Sequence, residues 1–313
     1  MEGGMVVLIP LLALVVVAGS LVENVIGAAT LSPATLTRHF YKKTNTCADV
    51  EVFVRHQVTT FWNKDKTITP KLLRLLYSDC MVTGCDASIL LDGPDSEKTA
   101  TQNVGLGAFV AIDKIKTVVE SYCPGVVSCA DILQLATRDA VHLVDHPTLF
   151  SQEEGMGSHV YSPGAHSMGK ARCRYIQNRL YNFQGAGNPD PTLDSSKLRE
   201  LQKQCPQKRA KGEHEGLVYL NKDSGDKNTF TNAYYANILA HKGVLQIDQQ
   251  LYYGNDTLEL TQEFADPNTG MQDFKKSFAL SISRMGNYKV LTGKQGEIRR
   301  HCRFTNSDHP HLN

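Results

Sequence analysis

The sequence lacks the features that mark several large classes of protein. With 33 Lys and Arg against 32 Asp and Glu, its net charge is +1, and no basic stripe favours nucleic-acid binding. None of its eight cysteines stands in a C-x-x-C pair, which argues against zinc and thioredoxin-like sites. Strand signals, repeats and low-complexity tracts are scarce or absent. The remaining description is a globular chain of 313 residues, enough for one large domain or two lobes.

One long apolar run occupies residues 5–18. Its length is typical of a signal peptide and short for a membrane span. Small residues follow, with a cleavage site near Ala28 or Ala29. Because no Lys or Arg precedes the run, an uncleaved membrane anchor is the alternative. We predict a signal peptide over residues 1–29 and a secreted protein with no membrane attachment after cleavage.

The even number of cysteines suits an oxidising compartment and favours four disulfides. Spacing alone allows 105 pairings of eight cysteines. The cysteines are Cys47, Cys80, Cys85, Cys123, Cys129, Cys173, Cys205 and Cys302.

Apolar residues recur at helical spacing through most of the chain. The predicted helices cover residues 50–62, 71–80, 107–123, 128–144, 169–181, 233–245 and 271–286. Ser128 is the expected N-cap of the fourth. A polar, Gly-bearing stretch from 145 to 164 interrupts the pattern. The sequence therefore predicts a mostly α protein with long loops.

The stretch "LLRLLYSDCMVTGCDASILLDG", residues 72–93, combines a cation, a hydroxyl and several oxygen donors. Arg74 and Ser78 lie one helical turn apart. The following turn can offer Ca²⁺ the carboxyl, hydroxyl and carbonyl oxygens that it prefers, from Asp79, Val82, Gly84, Asp86 and Ser88. The spacing differs from the EF-hand pattern, so a helix-ending turn with surface acids is the alternative.

Two residues in the second half could serve a metal or haem. His166 follows a Pro-Gly break, and we expect it to open a helix. Its neutral imidazole could ligate a metal or haem iron, although a structural role is the alternative. Asp248 lies in an apolar stretch and needs a partner if buried. A carboxylate that binds the second nitrogen of a ligating His is a familiar arrangement, but the sequence alone cannot pair these two residues.

Five fragments in order resemble one family: "LLRLLYSDCMVTGCDASILLDG", "CPGVVSCADILQLATRDAV", "GAHSMGKARC", "ILAHKGVLQIDQQL" and "MGNYKVLTGKQGEIRRHC". Together they are similar to the plant-type secretory (class III) haem peroxidases, from about residue 31 to 304. The resemblance implies a mostly α, two-lobed fold over residues 30–313. It also implies haem b between the lobes, a calcium site on either side, and four disulfides. The implied pairs are Cys47–Cys123, Cys80–Cys85, Cys129–Cys302 and Cys173–Cys205.

The resemblance also assigns roles to site residues. His166 matches the haem axial ligand, and Asp248 matches its hydrogen-bond partner, which makes the imidazole a stronger electron donor. Arg74 matches the arginine that stabilises charge as the peroxide bond breaks. The distal calcium positions are Asp79, Val82, Gly84, Asp86 and Ser88, with Glu97 in a water-linked position. The proximal calcium positions are Ser167, Asp223, Asp226, Thr229 and Thr231, where Thr231 replaces a usual Asp and should weaken binding.

Two departures bear on activity. Ser78 stands where the family has its distal histidine, and it cannot shuttle a proton near neutral pH. Asn103 matches the residue that orients this histidine, and Tyr77 replaces a usual Phe. Only 37 positions separate Cys129 from His166, so the domain is shortened between 145 and 160. The missing part would border the haem edge, and its loss should weaken haem retention.

We therefore predict a secreted peroxidase that oxidises small phenolic donors with hydrogen peroxide, with slow turnover. It would act in peroxide catabolism and the response to oxidative stress, as a monomer in the cell wall, apoplast or vacuole. The alternative is a catalytically inactive scaffold that binds haem and calcium. A third reading is a skipped exon or decayed gene that yields a poorly folding chain.

Overall fold

The computed structural model describes residues 36–145, 162–208, 212, 214–222 and 228–308. The fold is mostly helical, with 57% helix and 2% strand, as the sequence predicted. The α-helices are α1 (Phe40–Lys43), α2 (Val50–Lys64), α3 (Ile68–Cys80), α4 (Phe109–Tyr122), α5 (Cys129–Asp145), α6 (Gln177–Tyr181), α7 (Ser195–Gln204), α8 (Ala233–Leu239), α9 (Gln246–Gln249), α10 (Asn255–Ala265) and α11 (Gly270–Gly286). Strands β1 (Lys170–Arg172) and β2 (Leu217–Tyr219) form an antiparallel pair. The predicted signal peptide lies outside the described residues, and no described helix has the length and hydropathy to cross a membrane.

The first lobe is a bundle of α2, α3, α4 and α5 around an aliphatic core. Each helix turns one apolar face inward, as expected for amphipathic helices. The core residues include Val54, Val58, Leu72, Leu75, Leu76, Ile112, Ile115, Ile132 and Leu133. The Oγ of Ser128 accepts a hydrogen bond from the Asp131 amide at 3.0 Å, so the predicted N-cap of α5 is confirmed.

The second lobe has an aromatic core between α8, α10 and α11. Its rings include Phe230, Tyr234, Tyr235, Phe264, Phe274 and Phe278. Leu73 of α3 and Val141 of α5 belong to the same cluster, so the two lobes share packed side chains. Met168, two residues after His166, belongs to this cluster too, so α3 lies near the segment that carries His166.

The prediction of a helix over residues 169–181 is wrong in its first half. Gly169 has a φ of +93°, a left-handed conformation that an α-helix cannot contain. Residues 170–172 then pair with β2, and α6 begins at Gln177. The expected helix opening at His166 is also wrong, because His166 lies in a 3₁₀ segment, Ser162–Ser167, that ends one residue later.

Other boundaries also differ from the sequence pattern. The helix predicted over residues 233–245 ends at Leu239, and His241 follows with a φ of +58°. The sequence pattern did not predict α7 or α10. Helix boundaries depend on backbone turns that apolar periodicity does not encode.

All four implied disulfides are confirmed. Cys47 is bonded to Cys123, Cys80 to Cys85, Cys129 to Cys302 and Cys173 to Cys205. Two of them fix the first lobe, since one joins the residue just after α4 to the N-terminal region and another joins the start of α5 to the C-terminal segment.

Candidate functional site

His166 and Asp248, which the sequence alone could not pair, are in contact. The His166 Nδ1 lies 2.9 Å from Oδ1 of Asp248. Asp248, on the short helix α9, is buried, whereas 38% of the His166 side chain is exposed. Because the carboxylate engages Nδ1, Nε2 remains as the nitrogen able to bind a metal.

The charges around His166 set the direction in which its pKa shifts. Burial alone would lower the pKa of the imidazole, but the charge and the hydrogen bond of Asp248 outweigh it, so the pKa is raised. The positive charge of Arg74 acts in the opposite direction and lowers the pKa. Arg74 is therefore near enough for its charge to be felt at the His166 imidazole.

Close packing holds the turn that carries His166 in place. A Cβ at Gly164 would lie 2.5 Å from the Phe274 ring, and a Cβ at Gly169 would lie 3.2 Å from Pro70. The turn is therefore pressed against α11 on one side and α3 on the other. Such close approach to the backbone explains the need for glycine at position 164.

One face of α3 is exposed among the described residues. Arg74, Tyr77 and Ser78 share this face at the i, i+3 and i+4 spacing of a helix. Arg74 is exposed, 47% of Tyr77 is exposed, and Ser78 is half-buried. One guanidinium nitrogen of Arg74 donates to the Gln102 carbonyl at 2.9 Å, which ties this side chain to the segment before α4.

Asn103 follows Gln102, whose carbonyl binds Arg74, and one end of the Asn103 side-chain amide is hydrogen-bonded. It is buried, and its Nδ2 donates to the Glu97 carbonyl at 2.8 Å. Among the described residues, no hydrogen bond reaches its Oδ1, and none joins Asn103 to Ser78. The Oδ1 of Asn103 therefore has no hydrogen-bond partner in the described part of the chain.

The loop after α3 gathers acidic oxygens. Buried Asp79 accepts hydrogen bonds from the amides of Ala87 at 3.0 Å and Ile89 at 3.4 Å. The Asp86 carboxylate accepts from the Ser88 amide at 2.9 Å, and the Ser88 hydroxyl donates to Glu97 at 2.8 Å. The second carboxyl oxygen of Glu97 is buried with no hydrogen-bond partner in the described part of the chain.

No salt bridge among the described residues neutralises Asp79, Asp86 or Glu97, although the positive charge of Arg299 acts on Asp79 and Asp86. Burial and the negative charges of Asp86 and Glu97 raise the pKa of Asp79 to about 7, although hydrogen bonds from Ala87 and Ile89 oppose the rise. A divalent cation would relieve both the repulsion and the unpaired Glu97 oxygen, so the donor set fits Ca²⁺.

Val82 and Gly84 occupy the tip of the same loop, and Gly84 has a φ of +130°. Within the described ranges, no three His, Cys, Asp or Glu side chains are grouped as metal ligands. The expected set does not require such a group, because it combines two carboxylates with hydroxyl and carbonyl oxygens.

The predicted proximal calcium site is only partly within the described residues. Asp223 and Asp226 lie outside them. Ser167 is buried, and its hydroxyl has no hydrogen-bond partner among the residues described. The hydroxyl of Thr231 accepts from the Ala233 amide at 3.2 Å at the start of α8. Thr229 lies two residues earlier and is half-buried.

Sequence reasoning missed Tyr234, a buried neighbour of Asp248. Its hydroxyl has no hydrogen bond of good geometry among the described residues. Burial first, and then the charge of Asp248, raise its pKa well above the usual value. A tyrosine in an apolar helix is typical of a core residue, so no sequence signal separates this one from its neighbours.

Comparison with known proteins gives a consistent assignment. The family described as Peroxidase matches residues 54–155 and 160–267. Probable peroxidase 61 of Arabidopsis thaliana is 50% identical over an alignment of 333 positions, which covers 96% of this chain and 97% of that protein. Probable peroxidase 26 of the same plant is 50% identical over 304 residues, with coverages of 87% and 90%. Peroxidase C1B of Armoracia rusticana is 37% identical over 323 residues, with coverages of 90% and 89%. The chain therefore belongs to the peroxidase family, among the plant class III enzymes.

Proposed function

We propose that this peroxidase binds haem b through His166 and reduces hydrogen peroxide slowly at the expense of small phenolic donors. The observation that carries the proposal is the His166–Asp248 pair. A buried carboxylate holds the imidazole by Nδ1, which fixes the tautomer with a lone pair on Nε2. Haem bound there would supply the iron at which peroxide is reduced and electrons are passed on.

Each protein group has a separate task in this proposal. Asp248 orients the imidazole and makes it a stronger electron donor. Arg74 presents a fixed positive charge on the open face of α3, where negative charge develops as the peroxide bond breaks. The pKa effect of Arg74 on His166 supports the opposition of these two side chains.

The missing step is proton transfer. A serine hydroxyl does not titrate near neutral pH, so Ser78 cannot take a proton from peroxide and return it to the leaving oxygen. Loss of such a group typically slows a reaction by roughly 10²–10⁴-fold. We therefore expect low turnover. The proposed biological roles are peroxide catabolism and the response to oxidative stress.

The inactive scaffold remains a second candidate, and the serine at position 78 is what favours it. The proposed shortening before His166 would add to the effect by opening the haem edge. The alignment with Probable peroxidase 61 supports this shortening. It spans 333 positions, but the 96% of this chain that it covers amounts to about 300 residues. About 30 positions of that alignment therefore have no counterpart here.

The remaining parts of the proposal concern calcium and location. Buried Asp79 and its half-buried neighbours Asp86 and Glu97, none of them in a salt bridge among the described residues, support a distal Ca²⁺, whereas the proximal site has weaker support. A signal peptide over residues 1–29 would direct the monomer to the cell wall, apoplast or vacuole. The named class III relatives support a secreted protein.

The test begins with haem binding. Oxidised, correctly folded protein is titrated with haem, and a Soret band at one haem per chain is expected. His166→Ala should abolish it, whereas the exposed control His56→Ala should not. Peroxide-dependent oxidation of a simple phenol by the loaded protein then separates the two candidates, since a scaffold would show no turnover above free haem.

A further inference from the structure

Arg299 is a buried cation that binds only backbone carbonyls in the described structure. Its Nη1 donates to the Cys302 carbonyl at 2.9 Å, and its Nη2 donates to the carbonyls of Ala87 at 2.8 Å and Asp86 at 3.2 Å. No ion pair of Arg299 occurs among the residues described. A guanidinium presents its donors in a rigid planar fork, so one side chain can join two separate segments.

The acceptors belong to the loop that carries the expected calcium ligands. Ala87 lies between Asp86 and Ser88, and its φ of +61° is left-handed, which is uncommon for a residue with a Cβ. The peptide around it is held from both sides. Asp79 accepts from the Ala87 amide, and Arg299 donates to the Ala87 carbonyl. The backbone between two predicted ligands is therefore fixed by Arg299.

Further contacts connect the same loop to the C-terminal segment, residues 288–302. The Cys85 amide donates to the Tyr288 carbonyl at 3.0 Å. A Cβ at Gly84 would lie 2.8 Å from the carbonyl oxygen of Lys289. Cys302 in turn is bonded to Cys129 at the start of α5. Arg299 therefore lies among the contacts that join this loop to the C-terminal segment.

We propose that Arg299 is a positioning residue for the distal calcium loop, which it holds in the ligand-bearing conformation from outside the coordination shell. The inference rests on the calcium site of the proposed function. Arg299 acts through the carbonyls at 86 and 87, and thereby aims the side chains of Asp86 and Ser88 toward the ion. Groups that orient metal ligands typically change metal affinity by about 10–100-fold when they are removed.

Arg299 has two opposing effects on calcium affinity, so the direction in which the Kd changes in a variant tells them apart. Its positive charge lies near Asp79 and Asp86, so charge alone would weaken Ca²⁺ binding and its removal would tighten it. Positioning predicts the reverse. Arg299→Gln removes the charge and the fork, whereas Arg299→Lys keeps the charge and loses the fork.

The test measures calcium affinity by competition with a chromophoric chelator on the full, oxidised chain. Positioning predicts at least a tenfold weaker Kd for Arg299→Gln and at least a threefold weaker Kd for Arg299→Lys. Arg300→Gln, at the exposed neighbouring position, should keep the Kd of the unaltered protein. The rise in Tm on adding calcium should shrink in both Arg299 variants, whereas a merely structural role would lower Tm equally with and without calcium.

Each outcome decides the matter. An unchanged Kd in both variants, or a tighter Kd in Arg299→Gln, overturns the positioning role while leaving the calcium site intact. If Arg299→Gln does not fold, Arg299→Lys decides alone by the same threefold criterion. An unaltered protein without measurable calcium affinity overturns the distal site itself and this inference with it, but not haem binding through His166.

Discussion

Restoring a histidine at position 78 tests the proposed cause of slow turnover. Ser78 is half-buried on the open face of α3, one turn after Arg74. By its resemblance Asn103 is the expected partner of such a histidine, and its side chain is anchored through Nδ2 to the Glu97 carbonyl at 2.8 Å. Its Oδ1 can therefore accept the Nδ1–H of a new imidazole and leave Nε2 as the proton acceptor.

The size of the effect follows from the chemistry of proton transfer. A positioned general acid and base is worth roughly 10²–10⁴-fold, or about 3–5 kcal/mol of activation free energy. The second-order rate constant for peroxide with haem-loaded Ser78→His should rise by this factor in stopped-flow absorption measurements. The rate should also fall as the imidazole protonates below a pH of about 6.5, a dependence that the serine cannot produce.

Two controls separate proton transfer from incidental change. Ser121→His places an imidazole at an exposed position of α4 and should leave the rate unaltered. Ser78→His combined with Asn103→Val should lose much of the gain, because the imidazole is no longer oriented. If Ser78→His reacts no faster than the unaltered protein at equal haem occupancy, proton transfer is not the missing element and the reasoning fails.

The remaining predictions concern the charges of the two sites. Asp248→Asn should lower the pKa of His166, because burial then acts without the opposing carboxylate; NMR titration of the haem-free protein measures it, and an unchanged pKa would contradict the pairing. Arg74→Leu should raise the pKa of His166 in the same titration and slow the reaction with peroxide, whereas an unaffected pKa would place the guanidinium elsewhere. Removal of calcium by a chelator should lower Tm, because Asp79, Asp86 and Glu97 would share a loop without a divalent cation; equal Tm values with and without chelator would refute a distal site.

The sequence predicted those elements in which local pattern and packing agree. The face of α3 that buries Leu72, Leu75 and Leu76 follows directly from apolar periodicity. The exposure of Arg74 on the opposite face follows from the same periodicity. Motif resemblance then supplied the disulfide pairs, which spacing alone could not choose among 105 possibilities.

Other features depend on contacts between distant segments. His166 and Asp248 are 82 positions apart, and nothing local to either residue indicates the pairing. The stretch 169–181 has helical periodicity, yet a left-handed Gly169 and pairing with β2 convert its start to a strand. Nothing in the sequence singles out Arg299, because it contacts the carbonyls of a loop more than 200 positions away.

Coordination of haem iron by the His166 imidazole is the central claim, and the ferrous haem-loaded protein gives its most direct test. Resonance Raman spectroscopy should show an iron–histidine stretching band that disappears in His166→Gly and returns when free imidazole is added. If the oxidised, folded chain takes up no haem, or if the band persists unchanged in His166→Gly, His166 is not the axial ligand and the central claim is contradicted.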